Sequence, residues 1–491
     1  MSSPFGVITA PAFPTDNVSW LNTEAPLTLD QLRGKLIILD FWTFCCINCM
    51  HILPTLRALE EEFADDLVVI GVHTPKFASE HDEDNVAQAI ARYDIRHPVL
   101  HDPGYQTWQA YTVRAWPTLV FVSPDGKVIG NAPGEPDPDK LKAAVGDLIA
   151  RGKSENMMAG PAFPFQPPAN RTSTFSFPGK IKPTPARFAI PDAHMIVADG
   201  GHHQIAALDK NGQTIKRFGS GTAGFHDGAG ADASFRDPQG FAVTPAAIYV
   251  ADTGNHALRK IDLVNDCVTT LAGNGKRGMI VSAPQQADQS ALASPWDLEH
   301  TPMGLAIANA GTHQLLLYHE DDALITPLAG TGGEDIVDGP ALNALLAQPS
   351  GLYWNDASQA LYFADSETSA IRALKNNQVE TLVGTGLFDF GHVNGDFTSA
   401  RLQHALGLFS NAEILLVADS YNHVIRQMNI ADQTVSDWDD GMTCLDPVCL
   451  PLAEPAGICV DNDGAVYLSD TNNHRLLRFD PAKQHYQTWS E

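Results

Sequence analysis

Two cysteines separated by two residues, Cys46 and Cys49, are the residues of this chain whose types and spacing best suit chemistry. A thiol pair with this spacing can be oxidised reversibly to a disulfide, or it can supply two ligands to a zinc ion. A zinc site would need a second pair of ligands nearby, and none is evident in the neighbouring sequence. We therefore interpret the pair as a redox-active dithiol that requires neither a metal nor another cofactor.

The elements on either side of the dithiol indicate which thiol reacts first. Residues 36–42 form the apolar run of a strand buried on both faces, and residues 52–63 have the apolar spacing of an amphipathic helix. Unpaired N–H groups and the helix dipole stabilise a thiolate at the start of such a helix. Cys46 would then attack a disulfide, and Cys49, one turn further in, would resolve the mixed disulfide.

Two further residues complete the predicted catalytic site. Asp40 lies six residues before Cys46, near the inner end of the buried strand. A carboxyl group there would be partly buried with a raised pKa, so it could exchange protons with the inner thiol. Pro117 directly precedes a second apolar run, residues 118–122.

This combination of residues resembles the thioredoxin family; the matching positions are Asp40-Phe41, Cys46, Cys49, Pro54 and Trp116-Pro117. The resemblance implies an α/β fold, with Cys46 as the attacking thiol and Cys49 as the resolving thiol. It also implies that Asp40 is the buried acid, and that Pro117 is a cis-proline beside the thiols with Trp116 as an auxiliary residue.

The sequence departs from the thioredoxin pattern around the dithiol. Cys45 stands where the family usually has Trp, and it is either a third redox thiol or a small buried side chain. Ile47-Asn48 replaces Gly-Pro, and because these two residues tune the redox potential, the direction of electron flow stays open. Thr43 and Cys46 also form the T-x-x-C of peroxiredoxins, without their upstream proline, so a thiol peroxidase remains an alternative.

His73 ends the next predicted strand, residues 67–73, close to the thiols in this topology. It could modulate a thiolate or shuttle protons, or it could simply bond the backbone at the strand end. Strand and helix patterns alternate along the N-terminal part of the chain, which predicts an α/β thioredoxin-like domain over residues 1–150.

Length, charge and cysteine content restrict the function further. The chain has 491 residues and a formal charge of -27, which argues against nucleic acid or an anionic membrane as a partner. Residues 1–13 lack the basic and apolar regions of a signal peptide, and no run is apolar enough to cross a membrane. Seven cysteines, three of them within 45–49, do not form a secreted disulfide framework. We therefore expect a cytoplasmic protein.

Residues 151–183 are rich in proline and lack periodicity, so we predict an extended linker there. Within it, residues 174–177 alternate and could add a strand to the next domain. Residues 184–491 are repetitive, because a short strand ending in Asp or Asn recurs at intervals of 51 to 57 residues. These strands end at Asp199, Asp252, Asn309, Asp365, Asp419 and Asp470. Six units with four short strands each predict an all-β six-bladed propeller.

The pattern Asp-x-x-Asn-His, clearest at residues 252–256, resembles the NHL repeat. Histidine follows four residues after the Asp or Asn in five units, and Ser369 takes its place in the fourth unit. We interpret these residues as turn residues; the alternative is a metal site at the mouth of the channel. Cys444 and Cys449 lie in the last long loop and are either thiols or a disulfide.

The whole chain resembles a family that joins a thioredoxin-like domain to an NHL-repeat propeller. The intact Asp40, Cys46, Cys49 and Pro117 favour a thiol–disulfide oxidoreductase that is served by a thiol reductant or reductase. Long loops on one rim of the propeller are the candidate surface for protein clients or partners. Three alternatives remain: a scaffold with a vestigial thioredoxin-like domain, a peroxiredoxin-like peroxidase, and a propeller enzyme.

Overall fold

The computed structural model describes residues 8–159, 172–411, 413–438, 442–445, 448–480 and 485–490. Contacts divide the chain into two compact units, Met1–Asn170 and Arg171–Glu491. The predicted fold class, a thioredoxin-like α/β domain followed by a six-bladed β-propeller, is confirmed. No helix within the described residues has the length and apolar character needed to cross a membrane.

The first unit is a six-stranded sheet with helices on its faces. Its strands are β1 (Ser19–Leu21), β2 (Leu36–Trp42), β3 (Leu67–His73), β4 (Val99–His101), β5 (Thr118–Val122) and β6 (Val128–Pro133). Its helices are α1 (Ile47–Glu62), α2 (Glu83–Arg92), α3 (Gln106–Ala110) and α4 (Pro138–Ser154), with a 3₁₀ turn at Ala78–His81. The strand order is β1-β4-β3-β2-β5-β6, in which β2, β3 and β4 are parallel.

Strand β2 lies at the centre of this sheet and positions the dithiol. All seven of its residues are buried, which explains the continuous apolar run in the sequence. Leu39 and Phe41 pack into one face of the sheet, while Leu36 and Ile38 pack against α1 and α4 on the other. Asp40 is the one ionisable residue in the strand.

Each blade of the propeller is one contiguous segment with four main strands. The first three blades comprise Pro178–Pro183, Met195–Asp199, Gln204–Leu208 and Thr214–Phe218; Gly240–Val243, Ala247–Asp252, Ala257–Asp262 and Cys267–Ala272; and Pro295–Thr301, Gly304–Asn309, Gln314–His319 and Leu324–Ala329. The last three comprise Pro349–Asn355, Ala360–Asp365, Ala370–Lys375 and Gln378–Val383; Gly407–Ser410, Ile414–Asp419, Val424–Asn429 and Thr434–Asp437; and Pro455–Val460, Val466–Asp470, Arg475–Asp480 and His485–Ser490.

Short strands from the loops between blades extend the outer edges of several blades. They are Gly228–Ala229, Gln285–Gln286, Gly339–Pro340, Gly395–Asp396, Met442–Leu445 and Val448–Pro451. The first strands of the six blades contact one another in a ring, so they are the innermost strands. The loops between blades and the Asp/His turns therefore lie on the same rim.

The repeated histidines join each blade to the next. The Nδ1 atom of each accepts a backbone N–H from the following blade at 3.0–3.1 Å, and Ser369 Oγ does the same at 3.1 Å. The donors are Asp237, Ser294, Gln348, His404, Glu454 and Phe177. Phe177, at the start of the first blade, donates to the histidine of the sixth blade, so this bond closes the ring.

The repeated aspartates are buried and bind arginine. Asp252 and Arg259 lie 2.7 Å apart, with neither side chain exposed, and Asp365–Arg372 and Asp419–Arg426 repeat this pair at 2.8 and 3.1 Å. The other carboxylate oxygen of each Asp accepts a backbone N–H from the loop before its own blade. Each carboxylate thus fixes an interblade loop to its own blade.

The segment between the two domains is shorter at both ends than the predicted linker. Helix α4 continues to Ser154, and Pro178–Pro183 is the innermost strand of the first blade rather than part of the linker. The prolines misled the prediction because they occupy the first and last positions of the strand, where a missing N–H is tolerated. Residues 174–177 are not a strand. Residues 160–171 and the side chains of Cys444 and Cys449 lie outside the described residues.

Candidate active site

Cys46 is the residue that caps α1. The helix begins at Ile47, five residues earlier than the sequence pattern predicted, so Ile47 and Asn48 form its first turn. The Sγ atom of Cys46 accepts the backbone N–H of Cys49 at 3.2 Å. A sulfur at this position faces the positive end of the helix dipole and an N–H donor, and both favour negative charge on the sulfur.

Cys49 is fully buried, whereas Cys46 is half-buried. Burial raises the pKa of the Cys49 thiol well above its ordinary value, and the neighbouring Cys46 sulfur adds to the effect. The arrangement places one half-buried sulfur at the N-terminus of α1 and one fully buried sulfur whose protonated form is favoured.

Asp40 lies in the centre of the sheet with none of its side chain exposed. Neither carboxyl oxygen has a hydrogen-bond partner among the described residues. Burial raises the pKa of Asp40 to about 7; the positive charge of His97 opposes this effect and the negative charge of Glu60 adds to it. Asp40 and Cys49 interact electrostatically, because the Asp40 charge also raises the pKa of Cys49.

The peptide bond between Trp116 and Pro117 is cis. Thr118, the next residue, pairs with Phe41 in the antiparallel register of β5 and β2. This register places Pro117 at the end of β2 from which the chain runs to the thiols. Trp116 packs against Trp108 with the rings tilted by 43° and their centroids 4.6 Å apart, which fixes the segment before the proline.

Cys45 is anchored by a residue that the sequence analysis did not identify, Glu80. The Glu80 carboxylate accepts the backbone N–H of Cys45 at 3.0 Å and those of Lys76 and Phe77 at 2.6 and 2.9 Å. Glu80 is fully buried, and burial raises its pKa. This carboxylate ties the loop before α1 to the segment before α2. Glu80 could not be recognised from the sequence as a partner of Cys45, because it lies 35 residues away and no motif surrounds it.

His73 belongs to an aromatic cluster. Its ring stacks on Phe44 at 5.5 Å, meets Trp42 edge-on at 5.0 Å, and its Nδ1 lies 3.1 Å from Nδ1 of His101. Burial lowers its pKa well below the ordinary value, so the imidazole is neutral. Among the described residues it makes no hydrogen bond or ring contact with a cysteine.

No group of three or more His, Cys, Asp or Glu side chains in the described part of the chain could hold a metal ion. The repeated histidines instead face the backbone N–H groups of neighbouring blades. Fold and site together define a two-domain protein that joins a thioredoxin-like thiol domain to a six-bladed NHL-type propeller.

Comparisons with known proteins agree with this class. A thioredoxin-like family model matches residues 34–128, and an NHL repeat model matches residues 452–479. SUPPRESSOR OF QUENCHING 1 of Arabidopsis thaliana, a chloroplastic protein, is 37% identical over 501 residues, which cover 96% of this chain and 46% of that protein. The chain thus spans less than half of the Arabidopsis relative.

Human NHL repeat-containing protein 2 is 36% identical over 517 residues, covering 96% of this chain and 70% of the human protein. The chain belongs to the family of NHL repeat-containing protein 2. The thiol–disulfide oxidoreductase ResA of Oceanobacillus iheyensis is 27% identical over 139 residues, which cover 28% of this chain and 70% of ResA. The thioredoxin-like domain therefore has thiol–disulfide oxidoreductases among its relatives.

Proposed function

We propose that this protein is a thiol–disulfide oxidoreductase whose propeller binds its protein clients. The observation that carries the proposal is the pairing of a half-buried Cys46 sulfur at the start of α1 with a buried Cys49 thiol three residues on. The similarity to a thiol–disulfide oxidoreductase over the same domain supports it. We also propose a cytoplasmic location, where a reducing environment keeps such a dithiol ready to react.

In the proposed reaction, the Cys46 thiolate attacks one sulfur of a client disulfide. The client S–S bond breaks, the client's second sulfur leaves as a thiolate, and a mixed disulfide joins Cys46 to the client. Cys49 then attacks Cys46 Sγ and releases the client's first sulfur. The client gains two electrons, and Cys46 and Cys49 form a disulfide that a thiol reductant or reductase must reduce again.

Asp40 supplies the base for the second step. The Cys49 thiol holds its proton, so it must lose the proton before or during its attack on Cys46. Asp40 is buried beside it, with a pKa of about 7, and therefore exists in both protonation states near neutral pH. A carboxyl group of this kind can accept the thiol proton in one direction and return it in the other.

Trapping of the mixed disulfide tests the assignment of the two thiols. In the full-length protein, Cys49→Ser should accumulate a disulfide between Cys46 and a small disulfide substrate, because the resolving thiol is absent. Cys46→Ser should form no such adduct and should not reduce the substrate. The assignment is wrong if mass mapping finds the adduct on Cys45, or if Cys46→Ser retains activity.

The propeller rim that carries the interblade loops supports the second part of the proposal. Large apolar side chains are exposed there, including Met279 at 77% and Phe388 at 73%. Exposed acidic side chains such as Asp232 and Asp288 lie in the same loops. An apolar surface among negative charges suits protein partners with basic or neutral surfaces.

Substitutions on the two rims test client binding. In a Cys49→Ser background, Met279→Ser with Phe388→Ser should reduce the trapping of folded protein clients while leaving the reaction with a small disulfide unchanged. Val264→Ser is the matched control, since Val264 is 74% exposed in a turn on the opposite rim. Equal trapping by all variants would show that this rim does not select clients.

A further inference from the structure

Below the dithiol, the face of the sheet that α1 covers carries a cluster of buried polar groups. Several of these polar atoms have no hydrogen-bond partner among the described residues. They include both carboxyl oxygens of Asp40, Nε1 of Trp42 and Nε2 of His97. Buried polar groups are nearly always hydrogen-bonded, because an unmade bond costs about 1–3 kcal/mol. Several exceptions in one place therefore require an explanation, and a redox or catalytic role is one that fits their position beside the dithiol.

Gly71 allows these groups to meet. In the parallel register of β2 and β3, Gly71 lies opposite Asp40, and side chains at opposite positions project from the same face of the sheet. A Cβ atom at Gly71 would lie 2.9 Å from Trp42 Nε1 and 3.4 Å from His97 Nε2. The indole and imidazole nitrogens thus occupy the space next to Asp40 that a side chain on β3 would otherwise fill.

Glu60 binds the other nitrogen of the same imidazole. His97 Nδ1 is hydrogen-bonded to Glu60 Oε2 at 3.4 Å and lies 3.3 Å from the other carboxyl oxygen, Oε1. The two side chains are only 3% and 8% exposed. Glu60 lies on the buried face of α1, as does Cys49. His97 therefore lies between two carboxyl groups, with Nδ1 at Glu60 and Nε2 on the side of Asp40.

We propose that Glu60 and His97 are positioning residues of the dithiol site that carry away the proton Asp40 receives from Cys49. The inference rests on the proposed function. As Cys49 attacks Cys46, the thiol proton passes to the Asp40 carboxylate. The Asp40 carboxyl and His97 Nε2 are not hydrogen-bonded at rest, so the next transfer requires them to come into contact. Asp40 then gives its proton to Nε2 of a neutral His97, and the positive His97 so formed gives the proton on Nδ1 to Glu60, which is 8% exposed and passes it on towards solvent. No electrons move in this relay, so it needs no additional oxidant or reductant.

The charges on the two residues act on Asp40 in opposite directions. A positive His97 favours the ionised form of Asp40, and a negative Glu60 disfavours it. The buried thiol of Cys49 on α1 also interacts electrostatically with Asp40, whereas His73 on β3 is neutral and lies opposite Trp42 in the strand register. Neutral replacements of Glu60 and His97 should therefore shift the titration of Asp40 in opposite directions.

Difference infrared spectroscopy of the full-length protein measures this titration without any reaction. The carbonyl stretch of protonated Asp40 is assigned by its loss in Asp40→Asn. We expect His97→Gln to raise the pH midpoint of this band by about one unit and Glu60→Gln to lower it by about one unit. Glu62→Gln, on an exposed part of the same helix, should leave the midpoint unchanged. Shifts in the same direction, or none, would overturn the proposal.

A second measurement follows the resolution step itself. The full-length protein is loaded with a small aromatic thiol on Cys46, and release of that thiol by Cys49 is timed against pH. In His97→Gln and Glu60→Gln, the pH midpoint of the release rate should shift together with the pH midpoint of the Asp40 carbonyl band. If the release rate keeps its wild-type pH midpoint, the relay is wrong. If His97→Gln does not fold, Glu60→Gln alone decides between these outcomes. If Cys46 never forms the mixed disulfide, the proposed function fails, and the infrared shifts still test the coupling.

Discussion

Buried carboxylates in the two domains have opposite surroundings. In the propeller, Asp252 has an arginine at 2.7 Å and also accepts a backbone N–H at 2.8 Å. In the thioredoxin-like domain, Asp40 is equally buried and has no hydrogen bond among the described residues. A buried charge that is fully bonded holds a fold together, whereas one that is left unbonded costs stability. The propeller aspartates are therefore structural, whereas an unbonded Asp40 fits the proton-transfer role that we propose for it.

The largest expected effect comes from breaking a propeller pair. Asp470→Ala would leave Arg475, only 4% exposed, without the one carboxylate that it binds in the described part of the chain. An uncompensated buried charge should lower the free energy of unfolding of the propeller by about 3–5 kcal/mol. Urea denaturation followed by propeller tryptophan fluorescence measures it. Lys142→Ala is the control, because its ion pair with Glu62 is exposed and should contribute less than about 1 kcal/mol. If Asp470→Ala lowers the free energy of unfolding by less than the control does, the buried propeller pairs are not stabilising, and the contrast with Asp40 fails.

The next-largest expected effect is a gain in the free energy of unfolding rather than a loss. Asp40→Asn should stabilise the thioredoxin-like domain at pH 8, because the wild-type protein must keep an unbonded carboxylate buried there. The folded pKa of about 7 exceeds the ordinary value of 3.8, so the folded state binds more protons between these values and wild-type stability falls as pH rises through them. The gain should reach roughly 2–4 kcal/mol at pH 8 and vanish near pH 4. Denaturation of both proteins at several pH values checks this. A variant that is less stable at pH 8 would show that Asp40 is structural after all.

The smallest effect concerns a neutral bond between blades. His256→Ala removes the acceptor of the Ser294 N–H and should cost the propeller about 1 kcal/mol. Ser369→Ala, which removes the equivalent 3.1 Å bond in another joint, should cost a similar amount. His226→Ala, on an exposed loop, is the matched control and should change stability by less than about 0.5 kcal/mol. A loss of several kcal/mol at His256 would mean that the histidines, and not the ion pairs, dominate the stability of the ring.

Local sequence was enough to predict where part of the candidate active site lies. The apolar run of β2 and the start of α1 fix Asp40, Cys46 and Cys49 relative to one another within ten residues. Pro117 could be placed because a proline before an apolar strand marks the fold. Local sequence was enough to make these predictions, because they depend only on elements that are adjacent in the chain or in the sheet.

Glu60, Glu80 and His97 could not be predicted as site residues, because they approach the dithiol only through tertiary packing. Glu80 lies 35 residues from the Cys45 that it anchors, and His97 lies 37 residues from Glu60. No periodic pattern distinguishes a buried glutamate from an exposed one in such segments. His73 ends β3 as the sequence predicted, and the neighbouring rings of Trp42 and Phe44 hold it in an aromatic cluster that local sequence did not reveal.

The propeller held one signal that the sequence analysis did not use. Arginine follows seven residues after the repeated aspartate in three blades, at Arg259, Arg372 and Arg426. In a blade, that spacing places the arginine on the third strand, beside the aspartate at the end of the second. Once the repeats predict a propeller, the recurring spacing is therefore enough to predict the ion pairs.

The bond that closes the propeller ring has a consequence for how the ring forms and opens. His474 accepts the Phe177 N–H across 297 residues, whereas the other five joints connect residues 31 to 38 apart. Three doublings of loop length add roughly 2 kcal/mol of closure entropy to this joint alone. The seam between the last and first blades should therefore be the last joint to form during folding. In hydrogen exchange, the Phe177 amide should be the least protected of the six amides that bond across the joints. The ring should therefore open first between its last and first blades.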